Sequence, residues 1–159
     1  MLFAGEFPCK LDEKGRFAVP ASLRDYFAVP GSPAIKKAVL VKSQQERCLW
    51  LFPLPYWYAL LDVQRQRLTE HESRLFMHFM VADVVEVEID RTSRVLIPRK
   101  LREENDIDEE VILVGMYDRL EVWSSHTWKT HISQLEEEHE LSLSKVLSMP
   151  SIKPSVPGD

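Results

Sequence analysis

Leu11-Asp12-Glu13-Lys14-Gly15-Arg16-Phe17-Ala18-Val19-Pro20-Ala21-Ser22-Leu23-Arg24 returns 78 residues later as Ile89-Asp90-Arg91-Thr92-Ser93-Arg94-Val95-Leu96-Ile97-Pro98-Arg99-Lys100-Leu101-Arg102. The Asp, the first Arg, the Pro, the Leu and the last Arg are unchanged, and apolar strand positions are refilled by other apolar residues. A second match stands at an offset of 71, where Leu49-Trp50-Leu51-Phe52 and Trp57 answer Leu120-Glu121-Val122-Trp123 and Trp128. Two matches in the same order mark an internal duplication.

Both halves read alike. An apolar run of strand period (Phe7 to Leu11, or Val84 to Ile89) leads into a D-x-x-x-R turn. A second short run follows, Phe17-Ala18-Val19 or Val95-Leu96-Ile97. Pro20 or Pro98 then opens a helix, where the missing N–H costs nothing, and Leu23 with Phe27, or Leu101, can face inward. Two further strands complete each half: Ala38–Val41 with Leu49–Phe52, and Val111–Val114 with Leu120–Trp123. Each half is therefore β-turn-β-α-β-β. About 50 residues bury a poor core alone, so two halves interleaving into one barrel-like sheet is the expected solution.

Between the halves, Pro55 starts a helical stretch with Trp57, Leu60, Leu61 and Leu68 near helical spacing. Leu75, Phe76, Phe79 and Met80 form a second apolar face beyond the polar Thr69-Glu70-His71-Glu72. After the second half, Trp128, Ile132 and Leu135 give an amphipathic helix that runs into Glu136-Glu137-Glu138-His139-Glu140. From Ser142 the chain is rich in Ser and Pro and is expected to be mostly disordered.

The net charge of −5 argues on its face against a nucleic-acid partner. Its distribution argues otherwise. Residues 8–24 carry Lys10, Lys14, Arg16 and Arg24 against Asp12 and Glu13, and residues 90–102 carry Arg91, Arg94, Arg99, Lys100 and Arg102 against Asp90 alone. The acids gather elsewhere, six of them in Glu103–Glu110 and four in Glu136–Glu140. A loop that presents Lys and Arg between two strands can enter a DNA groove, where those side chains reach guanine edges and phosphates. Asp12 and Asp90 head the turns and can accept hydrogen bonds from turn N–H groups or from the Arg four residues on. Gly15 supplies the positive φ that a tight turn needs.

Other chemistries are poorly served. The five glycines are too scattered for a phosphate cradle of the G-x-G-x-x-G or P-loop type. The longest uncharged stretch, Cys48–Leu61, is too short for a spanning helix and contains Pro53 and Pro55, and no leader peptide is readable. Cys9 and Cys48 suit a cytosolic chain with two reduced cysteines, and no C-x-x-C offers zinc or redox work. His71 with His78, and His126 with His131, make no H-E-x-x-H, so neither catalytic residues nor a metal or cofactor are expected.

On these motifs the chain resembles the MraZ family, bacterial regulators associated with the division and cell-wall gene cluster and built from two SpoVT/AbrB-like repeats. The resemblance covers Met1 to about Leu135. It rests on Gly5-Glu6-Phe7, both D-x-x-x-R turns, Val19-Pro20, Cys48-Leu49-Trp50-Leu51-Phe52-Pro53 with Trp57, Ile97-Pro98, Leu101-Arg102, Val111 to Gly115, and Asp118-Arg119-Leu120-Glu121-Val122-Trp123. It implies an α+β fold in which two AbrB-like swapped-hairpin repeats interleave in one small β-barrel, with peripheral helices between and after them. The expected organisation is repeat 1 over 5–54, linking helices over 55–81, repeat 2 over 82–125, a C-terminal amphipathic helix over 126–141 and a disordered tail over 142–159. It also implies a cytoplasmic, nucleoid-associated protein that assembles into a ring and binds direct repeats in promoter DNA, with a repressor role in at least part of the family. By motif position Lys14 and Arg16 lead the DNA contacts, Lys10 supports them, and Asp12 and Gly15 shape the turn. The second turn, with Asp90, Arg91 and Arg94, carries Ser93 where glycine is usual; serine accepts positive φ poorly, so that turn is expected to differ in shape and to serve structure or subunit contact. The competing reading is an assembly or protein-interaction module, such as an antitoxin or scaffold. Antitoxin modules of this architecture are usually a single short repeat, which this duplicated chain is not.

Overall fold

Two strands of the first half, β1 (Glu6–Lys10) and β2 (Arg16–Ala18), flank the first D-x-x-x-R turn, and β6 (Val85–Ile89) and β7 (Arg94–Leu96) flank the second. The computed structural model describes residues 2–153; the last part of the expected tail, 154–159, lies outside the described residues. Within the first half follow a 3-10 helix (Ala21–Phe27), β3 (Ala28–Val29), β4 (Ser32–Lys42), β5 (Leu49–Pro53), α1 (Leu54–Arg67), α2 (Glu70–Phe76) and a π turn over Met77–Val81. The second half continues with α3 (Arg99–Glu104), β8 (Glu110–Gly115), β9 (Leu120–Ser124), α4 (Ser125–Glu138) and α5 (Glu140–Val146). The chain divides into two compact units between Trp128 and Lys129.

The principal sheet is antiparallel and runs β1-β8-β9-β5-β4-β3, with β6 also on β4. Its pairings interleave the halves: β1 lies on β8 of the second half, β6 lies on β4 of the first, and β5 pairs with β9. The charges follow the exchange, with Lys10 opposite Glu110 and Lys37 opposite Glu88. An approximate two-fold axis relates the halves, and two pairs straddle it. Phe17 faces Val95 in the β2–β7 ladder, and Trp50 faces Glu121 in the β5–β9 ladder. Each is a residue meeting its own counterpart at the offsets of 78 and 71.

The expected barrel is not a closed ladder. The principal sheet is open, and β2 and β7 form a separate two-stranded sheet. The tight turns after β1 and β6 carry the chain out of the first sheet, so β2 and β7 find their partners in each other. One face of the principal sheet buries Phe3, Leu40, Leu51, Leu113 and Val122 against Phe17, Val19, Val95, Ile97, Leu23 and Leu101. The opposite face is covered twice in the same way. Val39, Val41 and Phe52 pack on Trp57 of α1, and Ile112, Val114 and Trp123 pack on Trp128 of α4. The ring centroids stand 5.6 Å apart for Phe52–Trp57 and 5.3 Å for Trp123–Trp128.

At the axis Glu121 is buried, its carboxylate accepting from the Trp123 indole N–H (3.1 Å) and from Arg119 (3.3 Å). The Arg119 guanidinium in turn lies 4.5 Å over the Trp50 ring. A carboxylate can occupy such a place because its charge is paired and hydrogen-bonded. Cys48 is buried among apolar side chains, which pushes its thiol well above the ordinary range.

Two local expectations are corrected. The segment after Pro20 is a 3-10 helix rather than an α-helix, with Leu23 N donating to Pro20 O at 2.9 Å. Ser22 and Asp25 are weak α-formers, and the larger rise of the 3-10 form helps seven residues span from β2 to β3. The stretch from Ser142 is not uniformly irregular, because α5 runs through Val146; Glu140 in its first turn and Lys145 in its last complement the helix dipole. Phe17→Ala, which empties the buried centre of the β2–β7 ladder, is expected to lower stability by about 3–5 kcal/mol in urea unfolding followed by tryptophan fluorescence.

Candidate nucleic-acid interface

The first turn is held closed by one carboxylate. Gly15 N donates to Asp12 O (3.0 Å) and Asp12 N to Arg16 O (2.9 Å), while Asp12 Oδ1 accepts from the backbone N–H groups of Lys14 and Arg16, both at 2.9 Å. Gly15 sits at φ +85°, and a Cβ there would stand 2.6 Å from the Arg102 guanidinium carbon. The second turn repeats this pattern. Ser93 N donates to Asp90 O (2.9 Å), Asp90 N to Arg94 O (3.1 Å), and Asp90 Oδ1 accepts from the N–H groups of Thr92 and Arg94 at 2.9 Å. The Thr92 hydroxyl adds a bond of 2.7 Å to the same oxygen. The expected difference in shape is therefore overturned: Ser93 adopts φ 62°. The Asp90 hydrogen bonds outweigh the cost of that backbone, on the order of 1 kcal/mol.

The two turns are one structure. Asp12 Oδ2 receives Arg16 Nε at 2.8 Å from its own turn and Arg94 Nη1 at 2.9 Å from the other. Arg16 Nη1 reaches back to within 3.8 Å of Asp90 Oδ2. Main-chain bonds from Val19 N to Ser93 O (2.8 Å) and from Ile97 N to Gly15 O (3.0 Å) extend the β2–β7 ladder into both turns. Beneath them Arg24 Nε holds Val19 O (3.1 Å), and its counterpart Arg102 Nε holds Ile97 O (3.0 Å). The second turn is thus bonded directly to the first.

This bracing redistributes the expected roles. Arg16 and Arg94 are half-buried in a network of two arginines and two aspartates. Lys10, Lys14 and Arg91 are exposed, and among the described residues they make no ion pair. Glu13, Asp108 and Glu109 flank the first turn, so an approaching phosphate meets attraction at the tips and repulsion beside them. Arg24 and Arg102 lie outside the set of site residues expected from the sequence. Their exact recurrence in the duplicated motif is the signal that identifies them.

A family model described as "MraZ protein, putative antitoxin-like" matches the chain twice, over residues 2–79 and 80–147. The chain belongs to the MraZ family. Relatives named "Transcriptional regulator MraZ" include those of Pediococcus pentosaceus, 32% identical over 87% of this chain and 92% of the relative. That of Clostridium beijerinckii is 34% identical over 82% of this chain and 87% of its own, and that of Thermomicrobium roseum 33% identical over 86% and 92%. Each MraZ match includes a helix pair. Helices α1 and α4 both have 14 residues and α2 and α5 both have seven, at offsets of 71 and 70, so the duplication extends through the helices. Among the described residues no helix is long and apolar enough to cross a membrane.

Asp12 is the group to titrate. The N–H of Arg16, then its guanidinium and the N–H of Lys14, lower the Asp12 carboxyl to about 2, and the N–H of Arg94 lowers Asp90 in the same direction. A carboxyl lowered on folding adds stability that is fully present above its unfolded value, about 3.9, and is lost as pH falls through the folded value. In carboxyl NMR titration Asp12 is expected to show a midpoint near 2, moving up in Arg16→Ala; an unshifted midpoint in the parent protein contradicts the network.

Proposed function

We propose that this chain is a transcriptional regulator that binds double-stranded promoter DNA through the paired turns at Asp12–Arg16 and Asp90–Arg94. The observation that carries this is the interlocking of the turns, which fixes the shape of a small projecting surface before any ligand arrives. Preorganised cationic groups lose little entropy on binding. Lys14 at the tip and Arg16 at its base are the leading contacts, with Lys10 beside them, while Asp12 and Gly15 set the turn. Arg16 is shared with Asp12 and Asp90, so its contribution to DNA is made by an arginine already aimed by two carboxylates. Arg91 extends the same surface from the second turn.

The first-strand exchange supports the swapped-hairpin arrangement that the family resemblance implies. One pair of turns covers few base pairs. Self-assembly into a ring would set several such pairs side by side on tandem direct repeats, raising affinity by avidity and making box spacing part of the specificity. The proposed target is the promoter of the division and cell-wall gene cluster, the proposed action repression, and the proposed location the cytoplasm and nucleoid.

Fluorescence anisotropy with DNA from upstream of the gene, against a scrambled duplex, tests the reading. Lys14→Ala is expected to weaken specific binding at least tenfold and to reduce the slope of log affinity against log salt by about one. Arg91→Ala measures the second turn's share. Equal affinity for promoter and scrambled DNA, or a flat salt response, removes the proposal in favour of a protein-interaction module.

A further inference from the structure

The two turns have equivalent flanks of opposite charge. In the β4–β6 ladder Lys36 stands opposite Ile89, the residue before Asp90. Beside the first turn Glu109 O accepts from Leu11 N at 2.8 Å. Leu11 and Ile89 are counterparts at the offset of 78, so Lys36 and Glu109 occupy the same place in the two halves, and Ile35 answers Asp108. At the tips Arg91 answers Glu13. A cavity opens at each place. The one beside the first turn measures about 260 Å³ and is lined by Asp12, Glu13, Asp108 and Glu109, with Arg102. The one beside the second measures about 800 Å³, and Lys36 and Arg91 line it.

The cations of the second flank are free to act. Among the described residues the Lys36 side chain makes one hydrogen bond, at 3.4 Å to Pro33 O, and neither it nor Arg91 makes an ion pair. Two acids, Asp90 and Glu88, also line this cavity. Asp90 Oδ1 is occupied by the N–H groups of Thr92 and Arg94, and Oδ2 lies 3.8 Å from Arg16 Nη1. Glu88 stands opposite Lys37 and, by strand alternation, belongs to the other face of the ladder. β4 also adds a wall that the first flank lacks. It has 11 residues to the six of β8, and its exposed Ser32–Ile35 segment runs past the end of β6.

We propose that the flank of the second turn, and not its counterpart, carries the DNA backbone, with Lys36 and Arg91 holding phosphate in the cleft between β4 and that turn. At the first turn four carboxylates repel a phosphate in the same position. The anion is a backbone phosphate because the cleft adjoins the tips that enter the groove. Such a contact carries no sequence information and seats the turns on the duplex. Lys36 lies outside both D-x-x-x-R motifs and is brought to the second turn by the strand exchange alone. The inference rests on the DNA reading above and makes that contact one-sided.

Fluorescence anisotropy over a salt series, on promoter and scrambled duplexes, tests it with the full chain. Lys36→Gln is expected to weaken binding to both duplexes by the same factor, about fivefold, and to reduce the slope of log affinity against log salt by about one. Lys36→Arg keeps the slope. Lys37→Gln, one residue along and paired with Glu86 at 3.5 Å, is expected to stay within about twofold of the parent, and so is Glu109→Gln beside the first turn. The proposal is overturned by an unchanged slope in Lys36→Gln, by a loss confined to the promoter duplex, or by an equal loss in Lys37→Gln. A gain in Glu109→Gln as large as the Lys36→Gln loss also overturns it, because both flanks then lie along the backbone. Slope and sequence preference separate this from the DNA reading. A parent that prefers the promoter with a slope indifferent to Lys36 keeps the regulator and loses this contact. A parent without preference, whose slope still falls in Lys36→Gln, does the reverse.

Discussion

Neither half of this chain can cover its own hairpin, and the exchange of first strands is the constraint from which the rest follows. β1 must leave its own half to lie on β8, and β6 must do the same on β4, so every long ladder but the hairpins themselves crosses between halves. The exchange brings Phe17 against Val95 and Trp50 against Glu121, and it places two turns 78 residues apart in sequence within hydrogen-bonding distance. In a symmetric dimer the same exchange would depend on protein concentration. Here it is intramolecular, so the scaffold under the turns holds together at any dilution.

Electrostatics at the turns is built from the inside outward. Asp12 and Asp90 first satisfy turn N–H groups, then bind arginines with what remains of their lone pairs. Net charge within that inner group is balanced, and the outward charge rests on Lys14, Lys10 and Arg91. The overall acidity of the chain sits away from the tips, in Glu103–Glu110 and Glu136–Glu140. The second of these runs is the face that distinguishes one helix pair from the other.

The strands were legible in the sequence because their apolar residues keep period two and the motif recurs at a fixed offset. Val111–Val114 and Leu120–Trp123 fall inside β8 and β9 within a residue or two of their ends. The early part of β4 was not, since Ser32–Ile35 is exposed and contains Pro33, leaving no alternation to read. The shape of the second turn escaped because residue preference at Ser93 points one way and the three bonds to Asp90 Oδ1 hold it the other. The contact of Arg94 with Asp12 has no local trace at all. It exists only because β2 and β7 pair, which is a property of topology rather than of spacing. In helix α1 Trp57 alone is buried, and the other apolar residues on that helix are divided between the sheet and a groove between α1 and α2.

The two turns share a backbone yet differ at their tips, where Glu13-Lys14 stands against Arg91-Thr92. A homodimer displays identical tips and so has no front or back; it is matched to an inverted repeat. Once both halves are encoded in one chain, each tip can change without altering the other, and the surface acquires a sense of direction. An object with direction laid on a double helix distinguishes the two ways of reading it.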